Sequence, residues 1–380
     1  MEKNVVIAGY VRSPFHFAGK GELASVRPDD MAAAVVTALV KRTGIDAAEI
    51  EDLILGCAFP EGEQGFNIAR LVVNLAGLPL SVAGTTVNRF CGSSMQSIHQ
   101  AAGAIQMGAG HAFICAGVES MSRIPMGGFN PLPNPALAKT YPQAYISMGE
   151  TAENLAKKYQ IQRGRQEQFA LSSQQKATAA RAAGKFQDEI TEIITAAGKK
   201  VTQDGCIRPE TTLEALAALK PAFDQSGTVT AGTSSPLTDG ASATLVTSED
   251  FAKANGLKII ARIRSVSVVG CAPEIMGIGP VEAARKALAR ANLTLKDIDI
   301  IELNEAFAAQ SLAVIQELGI DEAKVNLDGG ATALGHPLGA SGARITGKAA
   351  SLLKREGKQF ALATMCIGGG QGIATVLEAA

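Results

Sequence analysis

Two cysteines in glycine-rich settings, with one histidine between them, are the residues of this 380-residue chain best suited to chemistry. Cys91 lies in Asn88-Arg89-Phe90-Cys91-Gly92-Ser93-Ser94, His336 in Gly335-His336-Pro337-Leu338-Gly339, and Cys366 in Cys366-Ile367-Gly368-Gly369-Gly370. A free thiol with a pKa of about 8.5 is only a few per cent ionised at neutral pH, so it needs a base. His336 suits that task, standing in a Gly/Pro loop on no apolar face. The other histidines, His16, His99 and His111, read as ordinary loop or helix residues. A nucleophilic thiol, its base and a second thiol able to move protons together suit carbon–carbon chemistry on thioesters.

Each candidate has a plainer reading. Most single cysteines are inert packing residues, and Cys57, Cys115, Cys206 and Cys271 read that way. Gly92 and the paired serines after Cys91 serve no packing need. A helix starting there would turn its positive end toward the sulfur and favour thiolate. The glycines after Cys366 resemble a phosphate loop, but no Gly-Lys-Ser/Thr follows, and residues 373–377 read as a strand. A tight turn whose N–H groups face a reaction centre fits better. Asn304, in Asn304-Glu305-Ala306-Phe307-Ala308, follows the strand Ile300–Leu303 at the end where open α/β sheets place ligands. A helix N-cap is its alternative role.

The elements that must position these residues alternate between strand and helix. Residues 5–8, 53–58 and 112–117 read as strands, the last buried on both faces. Residues 30–41 and 94–107 have helical spacing, the first opened by Pro28-Asp29-Asp30. The pattern then recurs. Residues 44–59 (GIDAAEIEDLILGCAF) lie over 292–307 (NLTLKDIDIIELNEAF), with Ile50 on Ile298, Leu55 on Leu303, Ala58 on Ala306 and Phe59 on Phe307. In nearly the same register the Cys91 turn and helix fall on 336–353, and 112–117 on 360–365, so an internal duplication is expected. Residues 119–239 lack the alternation. They hold Pro125, Pro131, Pro133 and Pro135 and an Ala/Gln-rich helix near 165–185, and read as an insertion after the first repeat's third strand. The expected division is 1–118 with 240–256 for the first half, 119–239 for the insertion and 257–380 for the second half.

Composition narrows the partners. The chain is 47% hydrophobic with a net charge of -1, which favours neither nucleic acid nor an anionic membrane. No run approaches the roughly 20 apolar residues of a membrane span. Met-Glu-Lys-Asn-Val-Val-Ile lacks the regions of a signal peptide, so the 6 cysteines are expected as reduced thiols in a cytoplasm. No Cys-x-x-Cys or His/Cys cluster has metal spacing. Glycine, 40 residues against a usual share of about 7%, gathers around the cysteines.

The Cys91 segment, Asn304–Ala308, 330–342 (GATALGHPLGASG) and the Cys366 turn resemble the signatures of the thiolase family, over essentially the whole chain. The resemblance implies a five-layered αβαβα fold from two duplicated βαβαβαββ halves, with the insertion as a CoA-binding loop domain. It implies that Cys91 is acylated, that His336 activates it, and that Cys366 is the second acid/base. Asn304 would hold a water that forms one oxyanion site with His336; the N–H groups of Cys91 and Gly368 would form the other. At the CoA site the matching positions are Arg208 for adenine, Ala231 and Ser235 for pantetheine, and Met148, Met276 and Phe307 as apolar walls. CoA would be a co-substrate, with no permanent cofactor and no metal.

Ser147-Met148-Gly149 stands where short-chain acetoacetyl-CoA thiolases typically carry His-Met-Gly. With residues 63–70 (EQGFNIAR), it looks more like the degradative, broad-chain-length 3-ketoacyl-CoA thiolases. The resemblance implies thiolytic cleavage of a 3-ketoacyl-CoA by an acyl-cysteine route, in a homodimer or homotetramer. It leaves open a place beside a hydratase/dehydrogenase subunit in a fatty-acid oxidation complex. Alternatives are a short-chain thiolase working toward synthesis, a condensing enzyme of the hydroxymethylglutaryl type, and a non-catalytic acyl-CoA or lipid carrier. Condensing enzymes of that type use Cys/His/His or Cys/His/Glu, whereas this chain offers a second cysteine. A carrier would be expected to have lost Cys91, His336 or Cys366.

Overall fold

A computed structural model describes residues 3–380; the first two residues of the expected first half lie outside the described residues. The first half runs β1 (Val5–Arg12), α1 (Pro28–Thr43), β2 (Asp52–Gly56), α2 (Ile68–Leu75), β3 (Ala83–Val87), α3 (Ser93–Met107) and β4 (Ala112–Ser120). The insertion follows, with α4 (Met148–Lys158) and α5 (Arg163–Ala182) as its longer helices, and β5 (Thr238–Ser248) returns to the first half. The second half runs β6 (Ala261–Gly270), α6 (Gly279–Ala291), β7 (Ile300–Leu303), α7 (Ala308–Leu318), α8 (Leu338–Glu356), β8 (Phe360–Ile367) and β9 (Gln371–Ala379).

The strands lie in the order β7-β8-β9-β6-β1-β5-β4-β2-β3, the two halves meeting where β1 pairs with β6 through Val6 and Ile7. β2 pairs in parallel with β3 and β4, as β7 does with β8, while β5 and β9 run antiparallel to their neighbours. α3 and α8 pack on each other and on strands of both halves, forming the central layer. α1 and α2 cover the outer face of the first half, and α6 and α7 that of the second. These are the five expected layers.

The duplication is visible residue by residue. Gly44 and Asn292 both end a helix in the left-handed region, at φ 70° and 56°, the conformation that closes many helices. Each is followed by a 3-10 turn, Ala47–Glu49 or Leu295–Asp297, and then by β2 or β7. The second half reduces its copy of β3 to a single bridge between Ile301 and Val325.

One expectation changes. The insertion follows the half's fourth strand, because β3 had no apolar run to announce it. Ala83-Gly84-Thr85-Thr86-Val87 is an edge strand, exposed or half-buried except at Val87 and rich in small residues. β4 and β5 extend to Ser120 and from Thr238, within the range assigned to the insertion.

The two central helices approach closely only because glycines allow it. A Cβ on Gly117 of β4 would lie 2.1 Å from the Gly339 carbonyl oxygen, and one on Gly342 of α8 would lie 2.3 Å from the Met95 nitrogen. Those contacts bring the start of α8, just after His336, against the start of α3, just after Cys91.

Candidate active site

Cys91 sits in a tight turn between β3 and α3. Phe90 takes φ 42°, an uncommon value for a bulky residue. Side chains hold it there: Asn88 Oδ1 accepts from the Phe90 N–H at 2.9 Å, and Ser93 Oγ accepts from the Arg89 N–H at 2.9 Å while donating to the Phe90 carbonyl at 2.6 Å. Ser93 therefore builds the turn, while Ser94 Oγ accepts from the Ala343 N–H of α8 at 2.8 Å. Gly92 has no room for a side chain, since a Cβ there would meet Ile367 Cδ1 at 2.5 Å.

Cys91 is buried, at 8% exposure, and the backbone N–H groups of Gly368 and of Cys91 itself favour the charged form of its thiol. Gly368 opens the turn between β8 and β9, where Gly369 and Gly370 adopt φ 78° and 85°. Cys366, at the end of β8, is buried, and a charge on Cys91 would oppose its ionisation. It shares an apolar cluster with Met148, Met276, Ala306 and Phe307. Cys91 packs with Leu338, two residues beyond His336.

His336 is held at three points. Its N–H donates to Thr238 Oγ1 at 3.0 Å, its Nδ1 meets Ser341 Oγ at 2.5 Å, and its Nε2 faces Asn304 Nδ2 at 3.3 Å. Ser341 Oγ donates onward to the Pro337 carbonyl at 3.2 Å. Its one proton is thus committed, so it accepts from Nδ1–H, leaving the lone pair on Nε2. Asn304 does not cap a helix: α7 begins at Ala308, and the Asn304 side chain turns into the site instead, with Oδ1 buried and unpartnered.

Electrostatics correct the expected thiolate. Burial pushes the Cys91 thiol up to about 11, outweighing the hydrogen bonds from Gly368 and Cys91, and Glu119 raises it further. α3 begins at Ser93, so its first-turn donors lie beyond the sulfur. Burial, then Arg344, lowers His336 to about 3. Cys366 is raised well above its ordinary value by burial and then by Cys91. At neutral pH the resting site holds neutral thiols beside a neutral imidazole. Such a site can transfer a proton from sulfur to Nε2 as the sulfur attacks.

The remaining expected residues fall into two groups. Met148, Met276 and Phe307 pack in one apolar cluster with Cys366, and Phe223 meets Phe307 edge-on at 5.8 Å between ring centroids. Ser235 donates to the Ala306 carbonyl through N–H and Oγ, at 3.0 and 3.1 Å, stitching the insertion to the Asn304 segment. Ala231 is exposed at the start of a 3-10 turn, Ala231–Thr233. Arg208 is half-buried with its guanidinium 6.0 Å from the Phe17 ring centroid and its Nε unpartnered.

Ser341, Thr238, Glu119 and Gln64 were not singled out from the sequence, although Ser341 and Gln64 lie within the segments 330–342 and 63–70. Glu119 accepts from the N–H groups of Ala58, Phe59 and Gly339 and from Gln64 Nε2, and Cys57 lies against the same carboxylate. A carboxylate ending the wholly buried strand β4 was the available clue. Among the described residues no group of three or more His, Cys, Asp or Glu is placed to hold a metal ion.

Comparison with known proteins places the chain in a family. Residues 5–250 match the family model described as thiolase, N-terminal domain, and residues 257–379 match thiolase, C-terminal domain. The 3-ketoacyl-CoA thiolase of Bacillus subtilis (strain 168) is 49% identical over 390 residues, covering 100% of both chains. That of Shewanella loihica is 52% identical over 388 residues, again with 100% coverage of each. Human mitochondrial 3-ketoacyl-CoA thiolase in complex with CoA superposes with a TM-score of 0.91 at 38% identity, covering 100% of this chain and 98% of that one. Bacillus anthracis acetyl-CoA acetyltransferase gives a TM-score of 0.91 at 41% identity, covering 100% and 99%.

Proposed function

The chain belongs to the thiolase family, and from that premise we propose that its pocket carries out CoA-dependent cleavage of 3-ketoacyl-CoA to acetyl-CoA and a shortened acyl-CoA. The enzyme is an acyltransferase with CoA as co-substrate. His336 Nε2 takes the Cys91 proton as the sulfur attacks the 3-keto carbon. The C2–C3 bond breaks, leaving the acyl group on Cys91 and an acetyl-CoA carbanion that takes the Cys366 proton. Cys366 then removes the proton of the incoming CoA thiol. That thiolate attacks the acyl-cysteine, and Cys91 leaves as the thiol with the proton returned by His336.

Charge develops on two oxygens, and two sets of donors serve them. The N–H groups of Cys91 and Gly368 suit the tetrahedral oxygen. His336, with a water held by the free Oδ1 of Asn304, suits the acetyl enolate. Each site supplies about 3 kcal/mol, by analogy with loss of a single oxyanion donor elsewhere. One observation carries the reading: the Gly368 N–H favours the charged form of the Cys91 thiol, so the glycine turn after Cys366 reaches the nucleophile.

Residues 119–239 form the CoA-binding unit, with Arg208 at the adenine, Ala231 and Ser235 along the pantetheine, and Met148, Met276 and Phe307 around the reacting end. Ser147, an N-cap joined to Glu150 in a capping box, takes the place of the histidine of short-chain enzymes and favours longer acyl chains. Among the described residues no helix is long and apolar enough to cross a membrane. The enzyme works as a homodimer or homotetramer in the cytoplasm, with a hydratase/dehydrogenase subunit as a candidate partner. Kinetics over a ladder of 3-ketoacyl-CoA lengths test this. Cleavage that strengthens beyond the four-carbon substrate supports it; activity on acetoacetyl-CoA alone would make this a short-chain enzyme. No cleavage at any length would leave a carrier.

A further inference from the structure

We propose that Glu119 and Glu305, one from each half, form a two-point carboxylate clamp on the His336 loop and act as positioning residues for the base. Glu119 Oε2 accepts from the Gly339 N–H at 2.9 Å, three residues after His336. Glu305 Oε2 accepts from the Thr332 N–H at 3.0 Å, four residues before it. Both residues are at most 2% exposed.

Each carboxylate also grips its own half, and Glu305 grips the insertion as well. Glu119 takes N–H groups from Ala58 at 2.8 Å and Phe59 at 3.2 Å, and Gln64 Nε2 at 2.7 Å. Glu305 takes Asn326 Nδ2 and Ser173 Oγ, both at 2.7 Å, and Ser173 in turn accepts from the Gly330 N–H at 3.0 Å. These partners act as donors, so only an acceptor on both oxygens satisfies them all. The clamp uses the duplication, because Glu305 stands where the first half has Cys57, and Cys57 lies against Glu119. The fit is tight: a Cβ on Gly330 would lie 2.2 Å from the Glu305 carboxyl carbon, and one on Gly339 would lie 2.9 Å from Glu119 Oε2. Base placement within a fraction of an ångström is worth large factors in rate, and carboxylates that orient such groups are worth roughly 10–100-fold.

The inference rests on His336 being the base. Glu119→Gln and Glu305→Gln each set an amide NH2 against an N–H donor, freeing one end of the loop. Ionisable groups around this loop are Arg344 on α8, the thiols Cys91, Cys206 and Cys366, and the two carboxylates themselves. The expected result for either variant is a kcat reduced roughly 10–100-fold with KM for CoA little changed. The acidic limb of the pH–rate profile moves to higher pH, because a loosened imidazole regains water and its ordinary basicity. Ser173→Ala, which removes a hydroxyl donor to Glu305 and the acceptor of the Gly330 N–H but keeps the carboxylate, is a milder variant expected to move the limb in the same direction. Unchanged kcat and an unmoved limb in the folded variants, or a fall in thermal stability alone, would overturn the clamp. His336→Ala separates the two ideas: if it turns over normally the base assignment fails, and if it is inactive while the glutamine variants are normal only the clamp fails.

Discussion

Ser341 Oγ accepts from His336 Nδ1 at 2.5 Å and donates its own O–H to the Pro337 carbonyl, so a hydroxyl one helical turn into α8 decides which imidazole nitrogen is basic. Without that commitment the proton could sit on Nε2, facing Asn304, and the site would present no base to the sulfur.

Ser341→Ala should therefore lower kcat roughly 10–100-fold, the range seen when groups orienting a histidine are removed. KM for CoA should stay near the parent value, since Ser341 lies away from the proposed CoA wall. Steady-state kinetics check this, and a parental kcat would show that the tautomer is fixed by something else.

The two cysteines should separate by mass spectrometry. Cys91→Ala should take up no acyl group from an acyl-CoA donor. Cys366→Ala should still be acylated at Cys91 yet turn over slowly, because neither the acetyl carbanion nor the CoA thiol is served. Acyl label retained on the Cys91 variant would remove its role, and normal turnover of the other would remove that of Cys366.

Burial sets the pH behaviour. With Cys91 raised to about 11, alkylation by iodoacetamide should be slow at neutral pH and keep climbing well above the ordinary thiol value of about 8.5. His336 and His99 are both lowered to about 3, His99 by burial and then by Arg89 and Arg290. An unfolded histidine binds its proton near pH 6.5, so between about 6.5 and 3 the unfolded chain holds more protons than the folded one. Stability from these two groups is complete above that window and is lost as pH falls through it. Thermal melts from pH 7 to 4 should show the decline, and His99→Gln, which keeps a partner for Thr375 Oγ1, should flatten it.

Gly117→Ala should destabilise the chain by at least about 1–3 kcal/mol, because its Cβ would meet backbone, the Gly339 carbonyl, rather than a side chain able to swing away. The strain falls where the halves meet beneath His336, so kcat should drop with Tm. A melt and an activity assay on one preparation test both; a parental Tm would mean that the central layer can spread.

The sequence alone sufficed for the repeat, because duplicated segments keep their apolar period and their helix-ending residues, as at Gly44 and Asn292. It also marked Cys91, His336 and Cys366 by the glycine-rich segments around them, and Asn304 by its place just after a strand. It could not show β3, an edge strand without an apolar run, nor Glu119 and Ser341, whose partners lie across the fold or around a helix start. Charge state was the other matter left to tertiary structure. A thiol before a helix reads as thiolate locally, but desolvation depends on every atom packed around it, and here it outweighs the donors and keeps both sulfur and imidazole neutral at rest.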